Sequence, residues 1–183
     1  MAITQIATAE AKARSANVRM PALVVRRVIV CLVAVASLGW AVPAAAADKV
    51  RLTGLTDVAF GTLGNLSADA VRAQDVCIYS TSSTSGYHVT ATGSGGGGNF
   101  ELSSGVNTMA FDVAWNNTPG QASGTLLTPN VPLTGQVSSA TQQTCNSGPA
   151  RTGSLIIILR SAGLSSAVAG TYNGTLTLVV APE

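Results

Sequence analysis

From Val50 onward the chain alternates apolar and polar residues with period two, and does so most cleanly at its end. In Ala169–Glu183, AGTYNGTLTLVVAPE, the positions of Tyr172, Gly174, Leu176, Leu178 and Val180 share one side of an extended backbone. Thr171, Asn173, Thr175 and Thr177 share the other. This pattern, rich in β-branched residues, predicts a strand with one buried face. Pro182 stops it, having no N–H to donate. A strand here must find its partners among earlier strands, and the preceding residues supply candidates.

Val50–Leu63, VRLTGLTDVAFGTL, reads as a first strand with Val58 and Phe60 in the core, broken by Gly61 and Gly64. Val71–Tyr79 is a second, with Val71, Ala73, Asp75, Cys77 and Tyr79 on one face and Val76 and Ile78 flanking it. Tyr87–Thr92 alternates Tyr87, Val89 and Ala91 inward against His88, Thr90 and Thr92 outward. Phe100 and Leu102 mark a short strand, and Thr108–Trp115 a clear one with Met109, Phe111, Val113 and Trp115 on one face. Leu126-Leu127 and Val131–Val137 are punctuated by Pro129, Pro132 and Gly135, which confines them to sheet edges. Leu155–Leu159, LIIIL, is apolar throughout, as in a central strand buried on both faces. Ala162–Ala169 has room for one helical turn. About seven short strands with turn signals between them predict an all-β sandwich. A membrane β-barrel is disfavoured by an aromatic content of 4% without girdle-like clusters.

The first 47 residues have a different character. Val28–Val42 is an uncharged apolar run behind Arg26-Arg27, followed by Pro43 and four alanines. A basic region, a short apolar region and an A-x-A site before a cut after Ala47 predict a secretory signal peptide over residues 1–47. The run is too short and wrongly flanked for a membrane span. Met1–Arg19 resembles neither a signal nor a fold. Met20 would make a more ordinary start, so residues 1–19 are expected to be a mis-assigned start. Residues 48–183 then form a single domain of an exported protein.

Processing also changes the charge. The whole chain carries +2, but residues 48–183 hold five basic groups against seven acidic ones, a net of −2. The basic character belongs to the leader, and no Lys/Arg patch remains to neutralise phosphates, so nucleic acid is not an expected partner. Cys77 and Cys145 are the two cysteines beyond the leader. An even pair in an oxidising compartment is most simply one disulfide.

Little catalytic chemistry is on offer. His88 is the single histidine, placed on the outward side of its strand, and no His/Cys/acid cluster has metal spacing. No G-x-S-x-G elbow precedes a helix. The Gly93–Asn99 tract is followed by neither Lys-Ser/Thr nor a helix and reads as a hairpin loop, not a phosphate cradle. Asp57, Asp69, Asp75 and Asp112 lie near turns, where Asp caps or shapes the backbone. Asp75 is the acid to watch, without a nameable partner. Trp115, followed by Asn116-Asn117, could line a sugar-binding surface, but it fits the apolar face of its strand better. Neither an enzyme nor a cofactor is expected.

The order of pieces resembles a known family. V-A-F-G (58–61) is followed by D-V-C-I-Y-S (75–80), G-Y-x-V-T-A (86–91), a glycine-rich loop and F-x-L (100–102). A strand ending in Trp115, a second cysteine and the closing G-T-Y-x-G-T-L-T-L complete the series. Together they resemble the spore coat protein U-like group of chaperone–usher fimbrial (pilus) subunits of Gram-negative bacteria. The resemblance implies an immunoglobulin-like sandwich lacking its last strand, with a hydrophobic groove beside the C-terminal strand. A periplasmic chaperone would fill the groove first. The N-terminal extension of a neighbouring pilin subunit would then replace it at an outer-membrane usher, by β-strand addition. Tyr172, Leu176, Leu178 and Val180 would form the groove wall. The implied role is structural: a surface fimbria serving adhesion or biofilm formation.

The chain departs from that pattern in one respect. A donor segment should precede the first strand, and only Asp48–Gly54 does, with Val50 and Leu52 as its apolar pair. Either Val50–Leu55 serves both purposes, or the subunit accepts a donor without supplying one. The alternative reading is a self-complete secreted or periplasmic sandwich that binds a ligand such as a glycan, for which Trp115 should be exposed.

Overall fold

Leu155–Leu159, the least interrupted apolar run beyond the first 47 residues, lies within a strand of seven residues, all buried, flanked by strands on both edges. In this computed structural model the backbone of residues 2–8 and the whole of residues 47–183 are described. The strands are β1 (Ala2–Thr8), β2 (Val50–Thr53), β3 (Val58–Ala59), β4 (Ala70–Ser80), β5 (Gly86–Gly93), β6 (Glu101–Ser104), β7 (Asn107–Ala110), β8 (Asp112–Asn116), β9 (Thr125–Leu126), β10 (Leu133–Val137), β11 (Gly153–Leu159) and β12 (Asn173–Pro182). One short helix, α1 (Ser161–Ser166), and a 3-10 turn at Gly96–Gly98 interrupt them.

The strands form two sheets, as the period-two pattern requires. One runs β2-β4-β11-β8-β9; the other runs β10-β5-β12-β1-β3, with the β6–β7 hairpin joined to β12. All pairs are antiparallel except β1 with β12. The all-β sandwich is therefore as expected, and the proline-punctuated strands β9 and β10 do lie at sheet edges. Main-core residues come from both sheets: Val76, Ile78, Val113, Trp115, Leu155, Ile157 and Leu159 from one, Tyr87, Val89, Ala91, Leu176, Leu178 and Val180 from the other.

The structure differs from the sequence reading in four places. Val50–Leu63 is not one strand: Gly54, at φ +89°, turns the chain so that β2 joins one sheet and β3 the other. Thr108–Trp115 likewise divides at Phe111, β7 pairing with β6 and β8 with β11. The four residues of its apolar face are nonetheless all buried in the core, because one alternating pattern spans both sheets. On β4 the main-core residues are Val76 and Ile78, whereas Cys77, although buried, lies outside that cluster. Finally, Ala2–Thr8, from a segment expected to have no fold, forms a strand.

Two ties fix the sandwich. The Trp115 indole N–H donates to the Tyr87 hydroxyl at 3.2 Å, and their rings meet edge-on at 6.4 Å between centroids. Each side chain comes from a different sheet, so the bond crosses the core. Burial pushes the Tyr87 phenol up to about 12, so it remains a neutral hydroxyl. Cys77 and Cys145 are disulfide-bonded, pinning the 138–152 connection to β4. Thr152 assists there, its hydroxyl accepting from the Ile78 N–H at 2.8 Å.

Two outcomes follow. Trp115→Phe leaves the buried Tyr87 hydroxyl without its donor and should lower stability by about 1–3 kcal/mol in chemical denaturation. Replacing both Cys77 and Cys145 by Ser releases a closure spanning 68 residues, which should cost roughly 4 kcal/mol in the chain-entropy account, read as a fall in denaturation midpoint.

Candidate functional site

The candidate site is a position inside a sheet. β12 has two edges, and one is satisfied by β5 in antiparallel register from Leu176↔Gly93 to Pro182↔Tyr87. Along its other edge the partner is β1, parallel, from Ala2↔Asn173 to Thr8↔Val179. The far side of β1 pairs with β3 through Ala2↔Ala59 and Ile3↔Val58. Among the described residues β3 has no other strand partner. Residues 2–8 and 48–183 belong to one compact unit. Without β1, both the β12 edge and β3 would present bare backbone N–H and C=O groups in the middle of the fold, where each unpaired group is costly.

The anticipated groove-wall residues are placed around this slot. Leu176 and Leu178 are fully buried within the span paired to β1, and Val180 is buried one residue beyond it. Tyr172 is buried one residue before it, its hydroxyl donating to the Val168 carbonyl at 3.0 Å. Val50 and Leu52, the candidate donor pair, are seated elsewhere. They pair with Ser80 and Ile78 at the edge of the opposite sheet, so here they serve the domain's own sandwich.

Beyond Ala2 the slot opens into a cavity of about 490 Å³, lined by Gly61, Leu63, Met109, Leu164 and Tyr172 among others. Its position follows from the register. β3 runs on past Ala59 into Gly61–Leu63, and β12 is preceded by Gly170–Tyr172, so the two flanks of the slot continue as the cavity walls.

Sequence reasoning did not find β1. Ala2–Thr8 contains four β-branched residues, Ile3, Thr4, Ile6 and Thr8, which is a strand-compatible composition. The segment does not alternate cleanly, however, and it falls within residues 1–47, which the sequence reading assigns to a signal peptide.

The other candidates reduce to structural roles. Asp75 accepts from the Gly120 N–H and the Ser154 hydroxyl, each at 2.7 Å, and so holds the 117–121 turn. His88 faces Glu183 at 3.6 Å. Trp115 is only 1% exposed, which removes it as a sugar platform. A second cavity, about 410 Å³, is lined by Asn107, Asp112, Arg160 and Ser166 among others. Its cation is already paired: the Arg160 guanidinium donates to Asp112 at 2.6 Å and to Asp69 at 2.9 Å. The described residues contain no cluster of three or more metal-ligating side chains, and none of their helices is long and apolar enough to cross a membrane.

The Asp69 carboxyl is held below its ordinary value, first by the Ser161 backbone N–H and then by the Arg160 guanidinium, while Arg160 is raised by Asp112 and Asp69. A depressed carboxyl stabilises the fold above its unfolded pKa and loses that contribution as pH falls through the folded one. Asp69→Asn should therefore lower the melting temperature slightly at neutral pH and narrow the difference from wild type below about pH 4, read in paired thermal melts.

No family model matches the chain, and no curated protein does. Among solved structures, the chain is similar to a chain described under "Chaperone-tip adhesin complex is vital for synergistic activation of CFA/I fimbriae biogenesis". The identity is 17% and the TM-score 0.47; the match covers 74% of this chain and 41% of that one.

Proposed function

We propose that this protein is a secreted structural subunit of a surface fimbria, whose sandwich is completed by a strand donated from a partner. It has no catalytic role in this reading. The observation that carries it is the slot between β12 and β3, an interior sheet position filled by a segment remote in sequence. Backbone pairing there does not depend on the donor belonging to the same chain. Leu176 and Leu178 give the slot an apolar floor, and the cavity beyond Ala2 extends it for a longer donor. A bare edge of this kind invites aggregation, which gives a periplasmic chaperone a physical task before an usher joins the subunit to its neighbour. The signal peptide that would deliver the chain to that compartment lies mostly outside the described residues. The same slot architecture suits a fibre serving adhesion or biofilm formation, because each junction is a continuous backbone ladder.

The test is a thermal melt with size exclusion of residues 48–183, exported to an oxidising periplasm and purified with and without a candidate chaperone. Alone, this form should aggregate or melt early. With the chaperone, or with an extended apolar peptide, it should remain monomeric in the complex and melt about 10 °C or more higher. A sharp, partner-independent melt of a free monomer would overturn the reading.

A further inference from the structure

Among the described residues β7 pairs with β6 alone, so its outer edge is open. The Phe111 N–H donates to the Phe100 carbonyl at 3.0 Å, which sets the phase of this antiparallel ladder. Met109 and Asn107 then bond to Leu102 and Ser104, and the alternation turns the N–H and C=O of Thr108 and Ala110 outward. Both residues are exposed. They border the cavity of about 410 Å³, whose far wall is α1 with Gly163 and Ser166. A Cβ on Gly163 would lie 3.9 Å from the Ala110 carbonyl oxygen, so the helix runs alongside the open edge.

The charges narrow what fits there. The Arg160 guanidinium donates through Nε to Asp112 and through Nη1 to Asp69. No bare cation is left to hold an anion, and neither carboxylate is left bare to hold a metal or an amine. Nη2 of Arg160 and Oδ1 of Asp112 have no partner among the described residues. With the Asn107 amide and the β7 edge they bring donors and acceptors together around a neutralised guanidinium. Val106, 98% exposed, and Val168, 60% exposed, add apolar carbon at the same cavity. Its volume falls near the lower end of the roughly 300–1,000 Å³ of small-molecule sites.

We propose that the groove between β7 and α1 binds a neutral sugar ring. Such a ring carries hydroxyls around its rim and C–H groups on its faces, which is the mixture this groove offers. Asp112 Oδ1 and Arg160 Nη2 take neighbouring hydroxyls as acceptor and donor, and the Thr108–Ala110 edge and Asn107 take others. Val106 and Val168 cover a C–H face. The site binds without chemistry, and it does not depend on what pairs with the edge of β12.

The test is ligand-observed saturation-transfer NMR on the full chain, a readout that works on a monomer or a large assembly alike. The probes are the methyl glycosides of glucose, galactose, mannose and N-acetylglucosamine, added in turn. At least one should receive saturation, strongest at its ring C–H protons. Asn107→Ala and Asp112→Asn should each weaken that binding about tenfold, the loss of one hydrogen bond. Asn107 makes no side-chain bond among the described residues, so its variant should keep the wild-type denaturation midpoint and carries the test even where Asp112→Asn disturbs the pair with Arg160. Inorganic phosphate should not compete. Saturation reaching none of the glycosides, binding left unchanged by Asn107→Ala and Asp112→Asn alike, or displacement by phosphate would overturn the proposal.

Discussion

The fold depends on satisfying one edge of β12. A strand inside a sheet must pair on both sides, since water cannot reach its backbone groups. β5 meets that need on one side through a long antiparallel ladder. On the other side, no strand from residues 48–183 reaches it among the described residues, and β3 waits one strand-width further away. The missing element is therefore a whole strand, not a side chain. The loss cannot be repaired by local repacking, because a ladder of alternating donors and acceptors accepts only another extended backbone.

The rest of the sandwich is built to keep that edge in place without help from it. The β2–β3 and β7–β8 segments each change sheet within a few residues, so they tie the two layers covalently. The Trp115–Tyr87 hydrogen bond fixes the spacing between the layers at the core's largest side chains. The disulfide secures the long connection before β11, far from the slot in sequence. Gly174 has a related role: a Cβ there would lie 2.8 Å from the Glu101 carbonyl oxygen and 2.7 Å from the Leu102 side chain. Its absence lets β6 approach β12 where the slot begins.

Much of this was legible from residue patterns. The central strand, the proline-marked edges, the inward residues of β5 and β12 and the disulfide pair all follow from period-two alternation, missing N–H groups and cysteine parity. The two sheet-switching strands were not legible, because alternation is a property of the core face and continues unbroken when the backbone changes partner. Phe111 stays buried at the switch and so hides it. The groove-wall residues were named through the family resemblance; Leu176, Leu178 and Val180 are buried on β12, and Tyr172 is buried just ahead of it. Val50 and Leu52 pair within the domain, whereas the position beside β12 is filled by Ala2–Thr8, a strand that its own residue pattern did not mark.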